Sequence, residues 1–535
     1  MQRRRFIRLG ATVVGTAALP HDLFREQSRP AAHDLVLRGG VIVDGSGRPR
    51  FSADVAITGA RIARIAPRIA ERGTREIDCR GMVVAPGFVD IHSHADGSMF
   101  ADPLMESVVR QGVTTVVIGA DGSSRGTDIG ALHTSIDKLR PAANVASCIG
   151  LGSVRAAVVG ADDRPATAAE LARMVRLVEA AVSAGAVGVS SGLEYTPGAF
   201  ASLDELIALC KPLAARGLAY STHMRNEDDR LLDAIDESIA VARGAGCALQ
   251  ISHLKTQGPR NWGKLDDVFA RIEAARAEGV DVAFDRYPYL AYQTGLTSLF
   301  PVWSRDGGTE RFFARLADPA VEPRIRAETL AKIELIGGWE NVQVASVTAA
   351  EDKAAEGRRL GSWAAERGIE PYELAVAMLR RNGGTVGMVG FAMSEENLER
   401  ILAHPLGMVA SDGNALAVSG PARRGVPHPR GAGSFARLLG RYVRERGTLT
   451  LEEAVHKMTA LPASRMKLSF GGRGTLVEGN VADVVVFDPR TVGDRATFTD
   501  PFQYAEGIKA TIVNGGMAYV DGVRGERTGR AVRAG

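Results

Sequence analysis

Eight short apolar runs, each followed by a helix-forming stretch, predict a (β/α)8 TIM barrel for the body of this 535-residue chain. Two further observations support it. Several of the runs end in His or Asp, the residues a barrel mouth would gather, and β-branched stretches at both chain ends bracket the alternating region.

The chain opens MQRRRFIRLGATVVGTAALP. Arg3-Arg4, Phe6-Ile7-Arg8 and a weakly apolar stretch from Leu9 to Leu19 resemble a twin-arginine export signal. The stretch is too short and too rich in Gly and Ala to span a bilayer stably. The expectation is export in folded form to the periplasm or beyond, with residues 1–32 as the signal, Ala31-Ala32 as one cleavage point and no stable membrane span after processing. No other segment reaches transmembrane length. The net charge of +3 is carried by this segment, where six Arg face only Asp22 and Glu26. The rest is nearly neutral, which gives no electrostatic case for a nucleic-acid partner. The expected partner is a small-molecule substrate, and the sequence fixes no oligomeric state.

Next come DLVLRGGVIVDGSG and ADVAITGARIARIAP, β-branched runs broken by Gly and Asp turns. ADVVVFDP and IKATIVNGGMAYVDGV have the same texture near the other end. Residues 33–84 and 468–535 are therefore expected to form one small β-sandwich domain around a barrel at 85–467. The barrel runs are MVVAPGFVDIH, VTTVVIG, NVASCIG, AVGVSSG, LAYSTH, ALQISH, VDVAFD and GMVASD. Residues 299–400, between the seventh and eighth runs, read as an insertion over the barrel mouth, a usual place for substrate-selecting structure. Cys79, Cys148, Cys210 and Cys247 form no CxxC pair and read as buried structural thiols.

The chemistry lies at the strand ends. The first run ends in His92-Ser93-His94, the fifth in His223, the sixth in His253 and the eighth in Asp412. The C-terminal ends of barrel strands ring one mouth, so these residues converge despite their separation in sequence. Positions 92 and 94 point to the same face of a strand. A single His at a strand end is most often an ordinary polar residue. Here four of ten His fall at such ends, with a carboxylate at the eighth. Imidazole and carboxylate donors suit one or two divalent ions, Zn first, with Mn, Co or Fe as alternatives.

PGFVDIHSH and ASDG resemble the first- and eighth-strand motifs of the amidohydrolase superfamily. EYTPGAFASLDELIALC, YSTHMRNE, ISHLK, DRYPY, SDGN, HPR and GRGTLVEGNVADVVVFDP narrow the resemblance to the N-acyl-D-amino-acid deacylases, over nearly all of residues 33–535. One departure stands out. Where that family has a Cys zinc ligand after the second strand, this chain has Asp121, in Gly119-Ala120-Asp121-Gly122. A carboxylate is a harder donor and moves metal preference toward Mn, Co or Fe. The alternative is that Asp121 only caps the turn before Gly122. The fourth run lacks the Lys that many amidohydrolases carboxylate as a metal bridge.

The resemblance implies a division of labour. Asp121, His223 and His253 would hold the tighter metal, and His92, His94 and Asp412 a second. Asp412 would be the catalytic base. Lys255, Tyr287 and Arg430 would bind the substrate carboxylate, with Tyr195 lining the pocket. Arg225 and Glu227 follow His223 closely and are expected to orient the metal shell. The expected reaction removes the acyl group from N-acyl-D-amino acids or cleaves L-Xaa-D-Xaa dipeptides. A cyclic amidase of the dihydropyrimidinase or hydantoinase kind and a non-catalytic metal-binding scaffold are the alternatives. The absent strand-four Lys argues against the first and Asp412 against the second.

Overall fold

The computed structural model describes residues 31–420 and 422–534. The export signal expected at 1–32 therefore lies, but for its last two residues, outside the described residues. The eight runs form eight parallel strands in sequence order. They are β1 (Phe88–Asp90), β2 (Val113–Ile118), β3 (Asn144–Gly150), β4 (Gly188–Gly192), β5 (Ala219–His223), β6 (Ala248–Ile251), β7 (Val282–Arg286) and β8 (Gly407–Val409). A bridge between Ser93 and Gly413 joins the first and last strands just past their ends, where the Asp412 N–H donates to the His92 carbonyl. Asp90 reinforces this seam by accepting from the backbone N–H and hydroxyl of Ser411.

The strands are buried on both faces because helices cover the outside. Ala168–Ser183 is typical of these helices. Thr167 and Glu170 form a reciprocal capping box at its start, and Met174, Val178 and Val182 recur at helical spacing on the buried face. Burying such side chains contributes roughly 1.5–3 kcal/mol each. All four cysteines are free and buried.

Strands from both chain ends make one nine-stranded sheet. Val484–Phe487 pairs with Val83–Pro86, which pairs with His33–Ile42. Its inward side chains, among them Leu35, Val55, Ile77, Val484 and Ile512, share a separate core. The extreme C-terminus leaves this sheet: Ala531–Val532 pairs with β3 of the barrel.

The segment between β7 and β8 is a compact unit. Ala291–Gly295, Val342–Ser346 and Gly387–Phe391 form a three-stranded antiparallel sheet, so the unit starts slightly before residue 299. Leu296, Phe312, Ile333, Tyr372 and Met378 belong to its own core. It places the helix Glu322–Leu335 beside the barrel mouth, with Lys332 lining a recess there. Among the described residues no helix is long and apolar enough to cross a membrane.

Candidate active site

The strand ends bring the expected metal-ligand residues together. The donor atoms of His92, His94, Asp121 and Asp412 lie within 4.8 Å of one another, as do those of Asp121, His223 and His253. Asp121 belongs to both groups. Its Oδ1 is 3.3 Å from His92 Nε2 and 3.4 Å from His253 Nε2, and its Oδ2 is 3.3 Å from His94 Nε2. The carboxylate thus faces the imidazoles rather than capping its own turn. His223 Nδ1 lies 3.0 Å from His253 Nε2, so both nitrogens face the same space.

The backbone is bent to make this possible. Asp121, His253 and Asp412 have φ of 50°, 36° and 50°, in the left-handed region that non-glycine residues rarely occupy. Such conformations persist where the surroundings over-determine them, often at functional sites. Glycines supply the room. A Cβ at Gly119 would lie 2.2 Å from the Cys148 carbonyl oxygen, and one at Gly192 would lie 2.1 Å from that of Asp121.

The residues fit a divalent cation. His92 Nε2 and Asp121 Oδ1 are buried and lack a hydrogen-bond partner, as expected of donors kept for a metal. The cluster is electrostatically short of positive charge. Burial works against a charged His92, yet Asp121 and then Asp412 outweigh it and raise the imidazole to about 9. Burial also works against ionised Asp412, but Arg430, His253 and His92 hold it well below the usual carboxylate range. Arg430 is the direct partner, with one guanidinium nitrogen 2.5 Å from Asp412 Oδ2.

Carboxylates stand behind the imidazoles. Glu227 Oε1 is 3.1 Å from His253 Nδ1 and accepts from Lys255 at 2.5 Å. Glu194 Oε2 is 3.3 Å from His223 Nε2. Asp285, at the end of β7, is 3.8 Å from His92 Nδ1 and accepts from the His253 backbone N–H. Such partners fix ring orientation and tautomer. Of the two residues expected beside the metal shell, Glu227 stands against the His253 ring. Arg225 faces elsewhere: its guanidinium binds Glu237 and the carbonyls of Ala199 and Ala201. β5 ends at His223, so the two-residue spacing no longer keeps Arg225 on the ligand face. It anchors the loop after Tyr195 instead.

Sequence reasoning missed Glu194 and Asp285. Glu194 stands within a motif already singled out, one residue from Tyr195, and Asp285 opens DRYPY. Both carry ordinary carboxylates whose partners only the closed barrel reveals.

Two neighbouring spaces share the walls Asp121, Tyr195, Gln293, Thr294 and Asp412. The outer chamber is open and about 730 Å³, with Asp96, Ser124, Arg125, Asn414 and Arg430 on its walls. The inner recess holds only about 20 Å³. Lys255 and Tyr287 line it, and the buried Tyr287 hydroxyl has no partner. The Tyr195 ring lies 4.7 Å from that of His223, and its hydroxyl accepts from Thr294. The candidate carboxylate anchors thus flank the metal-ligand cluster, Lys255 and Tyr287 in the recess and Arg430 on the outer chamber wall beside Asp412.

Comparison with known proteins gives the same picture. The sequence profile of the Amidohydrolase family matches residues 75–519. N-acyl-D-glutamate deacylase of Alcaligenes xylosoxydans xylosoxydans is 38% identical over 94% of this chain and 96% of its own. D-aminoacylase of the same organism is 36% identical over 95% of this chain and 99% of its own. The crystal structure of N-acyl-D-glutamate deacylase from Bordetella bronchiseptica, complexed with zinc and a phosphonate inhibitor, matches with a TM-score of 0.81 at 36% identity. That match covers 94% of this chain and 100% of that one. Dihydropyrimidinase and hydantoinase structures match at 15–18% identity, a likeness of fold alone.

Proposed function

We infer the reaction from one premise: this chain belongs to the amidohydrolase family, in its N-acyl-D-amino-acid deacylase branch. It is a metal-dependent hydrolase of linear amides. The substrates proposed are N-acyl-D-amino acids or L-Xaa-D-Xaa dipeptides. The carrying observation is geometric: an aspartate at the eighth strand end and four imidazoles converge on one cleft, flanked by cations suited to a carboxylate. The cyclic-amidase reading is set aside, because the match to those enzymes stops at the fold.

A divalent ion held by Asp121, His223 and His253, with a second position at His92, His94 and Asp412, would supply Lewis acidity that activates water and polarises a carbonyl. Zinc is the first choice. The chain's own groups do the rest. Asp412 takes the proton of the attacking water and returns it to the departing nitrogen. Lys255, Tyr287 and Arg430 hold the substrate carboxylate, with Arg430 offering a planar fork that matches it. This sets the orientation: the D-amino-acid half faces the recess and the acyl half the open chamber. Glu227 and Glu194 hold the rings of His253 and His223. Tyr195 packs on His223 and closes one side. Export is proposed for the same chain on the strength of Arg3-Arg4 and the apolar stretch after them.

Handedness tests the substrate assignment. When the scissile carbonyl and the carboxylate are both fixed, the side chain can point only one way. The wrong enantiomer must give up a charged hydrogen bond worth roughly 1.5–3 kcal/mol. With metal-loaded protein, kcat/KM for N-acetyl-D-amino acids should exceed that for the L forms at least tenfold, and often more. A consistent L preference would overturn the substrate assignment.

A further inference from the structure

The inner recess carries a cation, Lys332, to which the reaction just described gives no task. Lys332 reaches its wall from the helix Glu322–Leu335 of the unit between β7 and β8. Its ammonium donates to Asp228, which lies outside the recess lining. That leaves further N–H donors on Lys332 for the recess. Glu194 lines the same recess, and only one of its carboxylate oxygens faces His223. Among the described residues no ion pair joins Lys332 to Glu194. The recess thus presents a donor and an acceptor of opposite charge that attract each other across it without a direct ion pair, each keeping hydrogen-bonding capacity beside its own partner. Tyr292, Ser298, Leu299 and Met388 close it around them.

We propose that Lys332 and Glu194 are specificity-determining residues, and that they select a D-amino acid whose short side chain is uncharged and both donates and accepts hydrogen bonds, of the asparagine or glutamine class. The inference rests on the deacylase reading, which places the amine half in the recess. A carboxamide matches both partners, its oxygen accepting from Lys332 and its NH2 donating to Glu194. A carboxylate meets Lys332 but repels Glu194. An aliphatic side chain offers neither group a further hydrogen bond and covers both with apolar surface, which disfavours it. The narrowness of the recess favours a short side chain. This selection departs from the acidic preference named for the D-glutamate relative.

Asparagine, aspartate and leucine side chains are nearly the same shape, so they separate charge from size. With metal-loaded enzyme, kcat/KM for N-acetyl-D-asparagine should lie at least about tenfold above both N-acetyl-D-aspartate and N-acetyl-D-leucine. Lys332→Met should shrink the asparagine-to-leucine ratio severalfold. A D-aspartate or D-leucine substrate that equals or beats D-asparagine overturns the proposal, whether or not the variant folds. So does an unchanged ratio in folded Lys332→Met. If all three D substrates outrun their L forms but D-asparagine does not lead, the deacylase reading stands and this one falls. If the L forms lead throughout, both fall.

Discussion

Asp412→Asn should lower kcat by about a hundredfold or more while the fold and the metal content survive. Asp412 sits 3.0 Å from His94 Nε2 and 3.4 Å from His92 Nε2, at the divide between chamber and recess. An amide there can still meet a metal or a guanidinium through its oxygen, but it cannot accept a proton. The backbone at this position is already left-handed, a conformation that Asn tolerates as well as Asp. Circular dichroism and elemental analysis therefore serve as controls. A folded, metal-replete Asn variant with near-normal kcat would show that another group is the base.

Arg430→Ala should act in two separable ways. In the free protein Arg430 pairs with Asp412, and its guanidinium stacks 4.8 Å from the Tyr287 ring centre. Truncation removes a carboxylate fork, which should raise KM for N-acetyl-D-amino acids by about tenfold to a hundredfold. It also removes the group that does most to lower the Asp412 carboxyl, so that carboxyl should titrate higher and the acid limb of kcat should move to higher pH for every substrate. The pair of measurements is KM and kcat on a free-acid substrate and on its carboxamide. A KM rise confined to the free acid supports carboxylate binding. Equal KM changes on both would mean that Arg430 serves only Asp412 and the fold.

Much of the convergence at this candidate site is legible in the sequence. The convergence is readable because barrel geometry converts "end of an apolar run" into "same mouth", and His92, His94, His223, His253 and Asp412 all lie at the ends of such runs. Asp121 is readable only through the family resemblance, which has a Cys ligand at that position; the turn before Gly122 by itself offers the capping alternative. The partners were not readable. Lys332 lies in a helix of ordinary Lys, Glu and Arg composition and reads as a solvated face; its place at the recess comes from the packing of the unit between β7 and β8. Asp285 lies in a fully buried strand, where a carboxylate gives no hint of its partner. Arg225 was misplaced because nearness in sequence to His223 does not fix side-chain direction once the strand has ended. The paired strands from the two chain ends followed from texture, whereas the return of Ala531–Val532 to the barrel did not.

Metal dependence is the claim on which the rest stands, and metal content against turnover tests it most directly. Protein stripped by chelation, and verified metal-free by elemental analysis, should show no measurable hydrolysis of an N-acetyl-D-amino acid. Activity should return as Zn, Mn or Co is titrated in, rising with the fraction of sites filled. Full turnover by verified metal-free protein would contradict the account.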